Sequence, residues 1–388
     1  MNRREFTKIC GMLGLSIPLA GVLTACSEAS AQDNDPGKVL IVGAGAAGLS
    51  VGYLLQQKGI AFQIVEASTE YGGRMKRIKD FANFPIPLGA EWIHVNPSIL
   101  TEIVNNPSVN VDIQTTMYKP DVDYALYEGE RISLQEAGFS EDSKFVNATW
   151  FDFFEQYLVP SVESHITYNA VVESIDYSSD RVQVKTQGET YSADRVVVTA
   201  PVKILQNDVI SFHPELPEDK RNAIRSARVW DGCKAFIEFS EKFYPAFVEF
   251  AINPSSDGQK LYYDAAYGQD TNQHVLGLFA VGTGTKPYIE LSDSELIQYM
   301  LNELDGIFDG KATPNYIKHT FQNWNAEAYA NGAYVRDSES WRTIQRLGES
   351  VQNRLFFAGD AYTDGTDWSS VHAAARSAKK AVDDMLRI

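Results

Sequence analysis

The chain has 388 residues, 44% hydrophobic and 22% charged, with 27 Gly and 15 Pro, proportions that exclude a disordered, collagen-like or multi-span membrane protein. At about 100–200 residues per domain, the length allows two or three units. Basic residues number 34 against 51 acidic ones, a formal charge of −17. That balance excludes the counterion-displacing surface of a nucleic-acid binder; it suits solubility, or the steering of cationic molecules toward a cleft.

The first element is an address. Arg3, Arg4 and Lys8 precede an apolar stretch from Ile9 to Leu23, followed by Thr24-Ala25-Cys26. A basic start, a short apolar run and small residues before a cut site read as a secretory signal over residues 1–25. The run is broken by Gly and Pro and falls short of the ~20 residues that span a bilayer. The arginine pair with Phe6 resembles a twin-arginine export signal. Leu-Thr-Ala-Cys resembles a bacterial lipobox, in which Cys26 becomes the acylated first residue. The expected product is exported and held by a lipid on the periplasmic face of a bacterial membrane. Residues 26–37 then form a polar tether. Removing three basic residues and one acidic one leaves 31 against 50, a charge of −19. Cys10 leaves with the signal and Cys26 carries lipid, so Cys233 is the one thiol of the folded body and no internal disulfide is expected.

Lys38–Gly43 is a continuous apolar run of the kind found in a strand buried on both faces. It opens into Gly43-Ala44-Gly45-Ala46-Ala47-Gly48, a helix-like stretch to Lys58, and a second strand from Ala61 to Val65 ending at Glu66. Gly43 permits the tight turn, Gly45 lets the backbone approach a pyrophosphate, and Gly48 lets helix and strand pack closely. The helix start supplies free N–H donors to phosphate, and Glu66 accepts from ribose hydroxyls. This unit suits either NAD or FAD. Gly72-Gly73-Arg74 follows at once, placing a guanidinium where it can meet a pyrophosphate or the flavin side of a longer cofactor; together the two motifs look like the extended FAD signature.

These islands resemble the flavin-containing amine oxidase family, which includes monoamine oxidases, polyamine oxidases and flavin-dependent histone demethylases. Pro87-Leu88-Gly89-Ala90-Glu91-Trp92-Ile93-His94 resembles the family's LGAxWIHG, with Val95 replacing the last glycine. Val172–Ile175 with Tyr191–Pro201 resembles the segment that returns to the FAD domain and touches adenine. Arg354–Asp360 resembles the last cofactor strand, so Gly359 and Asp360 are expected at the ribityl and phosphate groups.

The resemblance also assigns chemistry. Lys234, in Trp230-Asp-Gly-Cys-Lys, matches the family lysine that holds a water beside flavin N5. Tyr334, in Trp324-x-x-x-x-Tyr329-x-x-Gly332-x-Tyr334, matches one wall of an aromatic cage before the flavin. Ala333 stands where covalent-flavin members carry Cys, so FAD is expected to be non-covalent. Ser370 and Val371 match the start of the flavin-contacting helix, with Val371 where monoamine oxidases place the second cage tyrosine; the cage is half complete unless Tyr362 or Trp368 turns inward. His94 is either a substrate-side histidine or a structural contact near the flavin, Glu91 and Trp92 shape the flavin edge, and His372 reads as a packed helix residue. No His/Cys/Asp spacing points to a metal.

Strand patterns at 171–177, 181–187 and 195–199, a capping box Ser292-Asp-Ser-Glu295 opening a helix, and a helix after Val371 complete the outline. The expected fold is α/β, a Rossmann-type FAD domain (38–80, 165–212 and 345–388) interleaved with a mixed-sheet α+β substrate domain (81–164 and 213–344). The segment between His94 and Val172 is short for the family. The resemblance implies oxidation of an amine C–N bond to an imine by hydride transfer to flavin N5, with reoxidation by O2 or an electron-transfer protein. A C–C desaturase or porphyrinogen-type oxidase, or a non-catalytic flavin-binding accessory protein, are the alternatives on the same fold.

Overall fold

The computed structural model describes residues 36–118, 124–128, 131–135, 142–252 and 257–388; the expected signal over 1–25, Cys26 and most of the expected tether lie outside them. Val39–Val42, with every residue buried, lies at the centre of a five-stranded parallel sheet. Its neighbours are Phe62–Val65 on one side and Arg195–Val198 on the other, with Ile166–Thr167 and Leu355–Phe357 at the two edges. A strand hydrogen-bonded on both edges and covered on both faces has no place for alternation, which is why it reads as Val-Leu-Ile-Val. The helices Ala46–Gln57 and Val371–Leu386 pack against each other and share one apolar core with Ile41, Ile64 and Phe356. The alanines of the second helix keep that contact close, while glycines 48 and 52 face the strands, against Gly43 and against Phe62 and Ile64.

A second core lies between this sheet and a four-stranded one built from Val172–Asp176, Val182–Thr186, Thr190–Ala193 and Ser211–His213. The strand patterns read at 171–177, 181–187 and 195–199 each agree with the structure to within a residue or so.

A seven-stranded mixed sheet carries the rest. Gly232–Phe239, buried along its whole length, pairs antiparallel with His274–Gly282 and Tyr316–Asn323. Gly258–Asp264 and Phe247–Phe250 extend it, and the hairpin Tyr124–Glu128/Arg131–Gln135 joins its far edge, parallel to Phe247–Phe250. The compact stretch after His94 thus supplies sheet as well as the helices Ile99–Val104 and Trp150–Tyr157. Asp293–Ile307 covers one face through Leu296, Met300 and Leu304, and its Ser292/Glu295 capping box is formed as its sequence predicts. No helix among the described residues is long and apolar enough to cross a membrane.

Candidate active site

The dinucleotide turn is built as its glycines require. Gly43 has φ 103°, and a β-carbon on Gly48 would lie 1.9 Å from the Gly43 carbonyl oxygen. Gly45 is the opposite case: a β-carbon there would meet nothing within 4 Å, leaving open space over the first amides of the helix, one of them that of Ala47. Those amides have no intrahelical partner and carry the positive end of the helix dipole, so the opening is shaped for an anion. Glu66 ends the second strand nearly buried; its Oε2 accepts from the Ala44 amide (2.6 Å) and its Oε1 from the Ser68 amide (2.9 Å). Each oxygen keeps a lone pair for a ribose hydroxyl. The backbone at 169–170 bonds back to residues 66–68, which sets Val172 two residues beyond this corner.

The glycine pair stacks on the same turn. The Gly72 amide donates to Ala44 O (2.9 Å), Gly45 and Gly72 form an isolated parallel bridge, and Gly72 and Gly73 both take positive φ, 108° and 53°. This aims Arg74 across the cleft. Its Nη2 donates to Asp360 Oδ1 (2.5 Å), and its Nη1 to Asp360 Oδ2 (3.1 Å) and to Ala333 O (2.5 Å). Gly359, beside Asp360, is tied to the last helix by Ser377, whose Oγ accepts from the Gly359 amide at 2.8 Å. Four stretches of chain therefore meet, and the cleft between them is lined by Arg74, Val202, Ala333, Tyr334 and Asp360. An open pocket at a helix start, a ribose acceptor and a guanidinium across from it fit a dinucleotide.

Tyr334 is half-buried, its amide carbonyl accepting from Trp230 N (2.8 Å), and burial pushes its hydroxyl well above the usual phenol range. Neither candidate second wall is free to turn: Tyr362 is buried with its hydroxyl on Ala200 O (2.6 Å), and the Trp368 indole donates to Arg336 O (3.0 Å). Ser370 caps the last helix through its Oγ, which accepts from Ala373 N (3.2 Å), and Val371 is the first helical residue. His372 is buried as expected, its Nε2 against Asp367 (2.6 Å) and Ser370 Oγ (3.1 Å). Both partners sit on one nitrogen, so this Ser/His/Asp set has no nucleophile-activating geometry.

Lys234 is fully buried on the strand Gly232–Phe239. Its Nζ donates to Glu91 Oε2 (2.6 Å), Pro87 O (2.9 Å) and Gly89 O (3.2 Å). Three acceptors use all three N–H groups of an ammonium, so a water held by Lys234 must replace one of them, and the long contact to Gly89 is the weakest. Burial lowers the Lys234 pKa, opposed by the adjacent Glu91 carboxylate. Glu91 in turn is raised by burial but pulled below the usual carboxylate range by Lys234 and Lys144. The segment Pro87–Trp92 packs on the Arg74 backbone: Ala90 N donates to Arg74 O (3.0 Å), a β-carbon on Gly89 would lie 1.9 Å from the same oxygen, and Trp324 Nε1 donates to Leu88 O (3.0 Å). His94, by contrast, is exposed and faces Asp142 (3.2 Å); it is not among the residues lining the cleft. Lys144 and Tyr263, both against Glu91, carry no motif that marks them in the sequence.

The model of the flavin containing amine oxidoreductases matches residues 154–386, and that of the NAD(P)-binding Rossmann-like domain matches residues 41–105. The chain belongs to the flavin containing amine oxidoreductase family. Its cofactor is FAD. Among curated relatives, Lysine-specific histone demethylase 1B of Mus musculus is 26% identical over 83% of this chain and 50% of its own length. Polyamine oxidase 2 of Arabidopsis thaliana is 22% identical over 89% of this chain and 87% of its own. The chain thus spans half of the mouse demethylase, and a match to the human Lysine-specific histone demethylase 2 covers 25% of that protein. In fold it is similar to wild-type putrescine oxidase bound to putrescine, at a TM-score of 0.72 and 14% identity, covering 90% of this chain and 98% of that one.

Proposed function

We propose that this protein oxidises the C–N bond of a small amine to an imine, which water hydrolyses to a carbonyl compound. The observation that supports it most is the chain of contacts from the Gly45–Gly72 bridge through Arg74 to Ala333 and Asp360, with Arg74, Ala333, Tyr334 and Asp360 lining one pocket. When bound, FAD would supply the chemistry of a two-electron hydride acceptor, its N5 the expected site, with O2 or an electron-transfer protein as the oxidant that restores it. The protein's own part is to hold and orient. Arg74 and the amides at the start of Ala46–Gln57 bind the pyrophosphate, Glu66 the ribose, and Asp360 orients Arg74. Tyr334 offers an aromatic face to a neutral amine with water excluded, and Lys234 keeps a positive charge behind the Pro87–Trp92 segment. Ala333 offers no thiol, so FAD is held without a covalent bond. The chain carries 51 acidic residues against 34 basic ones, which draws cationic amines towards it.

Residues 38–80, 165–212 and 345–388 form the FAD-binding part in this reading, and 81–164 and 213–344 the substrate part. Anaerobic addition of amines, polyamines, amino acids and lipophilic alkenes to the yellow protein tests the reaction. Bleaching by amines is expected; bleaching by alkenes alone points to a desaturase, and no bleaching by any of them to an accessory protein. Export by the twin-arginine route and a lipid on Cys26 complete the proposal. Cys26→Ala should release the protein from membranes, and retention of that variant counts against the anchor.

A further inference from the structure

The Glu91 carboxylate is shared by two buried lysines. Its Oε1 meets Lys144 Nζ (3.1 Å), and its Oε2 meets Lys234 Nζ (2.6 Å) and the Tyr263 hydroxyl. Lys144 also donates to Ala265 O (3.1 Å) and lies 5.2, 5.8 and 5.6 Å from the ring centres of Trp92, Tyr118 and Tyr263. With both lysines protonated, two ammonium groups outnumber the one carboxylate between them, within a shell of aromatic faces, which tolerate a cation better than an aliphatic wall does. Asp264, next to Ala265 in sequence, is paired with Lys242 (2.8 Å), and Asp142, next to Ser143, faces away toward the exposed His94 (3.2 Å), which offsets its charge only when protonated. A cavity large enough for about one water molecule is lined by Pro87, Glu91, Lys144 and Thr149. Lys234 spends its three N–H groups on Glu91, Pro87 O and Gly89 O, while Lys144 meets the other oxygen of Glu91 and donates to Ala265 O, so the second lysine completes the charge arrangement behind Pro87–Trp92.

We infer that Lys144 is a positioning residue: acting through Glu91, it braces the Pro87–Trp92 segment and Lys234 against the cofactor cleft and supplies the unbalanced positive charge that favours the negatively charged reduced form of FAD. The inference rests on the flavin reading above. A cation in a poorly polarisable interior acts over several ångströms, and the segment it braces touches Arg74 directly.

The test uses the FAD-loaded wild type and the variants Lys144→Met, Lys144→Gln and Lys144→Arg. The readouts are the flavin midpoint potential by dye equilibration, the FAD dissociation constant of the reconstituted apoprotein, and the melting temperature. Both neutral variants should lower the potential by about 30 mV, a tenfold change in the two-electron equilibrium, and Lys144→Arg should recover most of it. A wild-type potential in either neutral variant overturns the inference, whatever its melting temperature. If neither neutral variant takes up FAD, uptake by Lys144→Arg supports the inference and equal failure of Lys144→Arg overturns it. A wild type that takes up no FAD defeats the flavin reading itself, a result read before any variant is compared.

Discussion

The α-carbon of Gly48 packs so closely on the Gly43 carbonyl that a β-carbon would lie 1.9 Å from its oxygen, whereas a β-carbon on Gly45 would touch nothing within 4 Å. The two glycines of one motif therefore fail differently. Gly48→Ala should force helix and strand apart and lower the melting temperature of the apoprotein by several degrees, as overpacking does. Gly45→Ala should leave the apoprotein melting as wild type and weaken FAD binding at least tenfold, because its methyl group enters the pyrophosphate space. Calorimetry of the apoproteins and FAD titration separate the two.

Arg74 should matter more for cofactor retention than for folding. Hydrogen bonds to charged groups contribute about 1.5–3 kcal/mol, so Arg74→Met is expected to weaken FAD binding roughly 10- to 100-fold. Arg74→Lys should restore only part, since an ammonium cannot match both Asp360 oxygens and Ala333 O in one plane. Equal FAD affinity in wild type and Arg74→Met would remove the guanidinium from the cofactor site.

The Glu303 carboxylate joins helix Asp293–Ile307 to the large sheet. Its Oε1 accepts from the hydroxyls of Tyr262 (2.8 Å) and Tyr288 (2.7 Å), and its Oε2 from Lys260 Nζ (2.5 Å). Glu303→Leu strands a largely buried ammonium and two phenols, an expected cost of about 3–5 kcal/mol in urea unfolding. Glu303→Gln keeps acceptors for part of the set and should cost less than half as much.

Burial pushes the Cys233 thiol up to about 12. A raised thiol pKa in the folded state contributes stability that is fully present below the unfolded value near 8.5 and is lost as pH rises toward 12. With Cys10 and Cys26 replaced by Ser, alkylation by iodoacetamide at pH 9 should run at least 100-fold slower in the folded protein than in urea. The wild type should lose stability more steeply than Cys233→Ala between pH 9 and 11.

What was legible in the sequence is what the backbone demands locally. Gly43, Gly45 and Gly48 announce a turn because no side chain fits it or because something must approach it, and the Ser292/Glu295 pair announces a helix start. The packed His372 was readable as well, from the helix that follows Val371. Lys144 and Tyr263 were not. They reach Glu91 from distant strands, and a lysine in Ser-Lys-Phe looks like any solvated edge residue until the sheets are assembled. Whether Tyr362 or Trp368 turns inward to complete the cage was hidden for a similar reason, since they are held by carbonyls of Ala200 and Arg336 that no local pattern reveals.

Arg74 and Asp360 are 286 positions apart, and Asp360 comes just after the last sheet strand, Leu355–Phe357. During synthesis, then, the glycine turn emerges long before the carboxylate that anchors its guanidinium partner. A chain stopped short of Asp360 therefore lacks the carboxylate that anchors Arg74, and such a truncation is expected to hold the coenzyme more weakly even where the first βαβ unit has already formed.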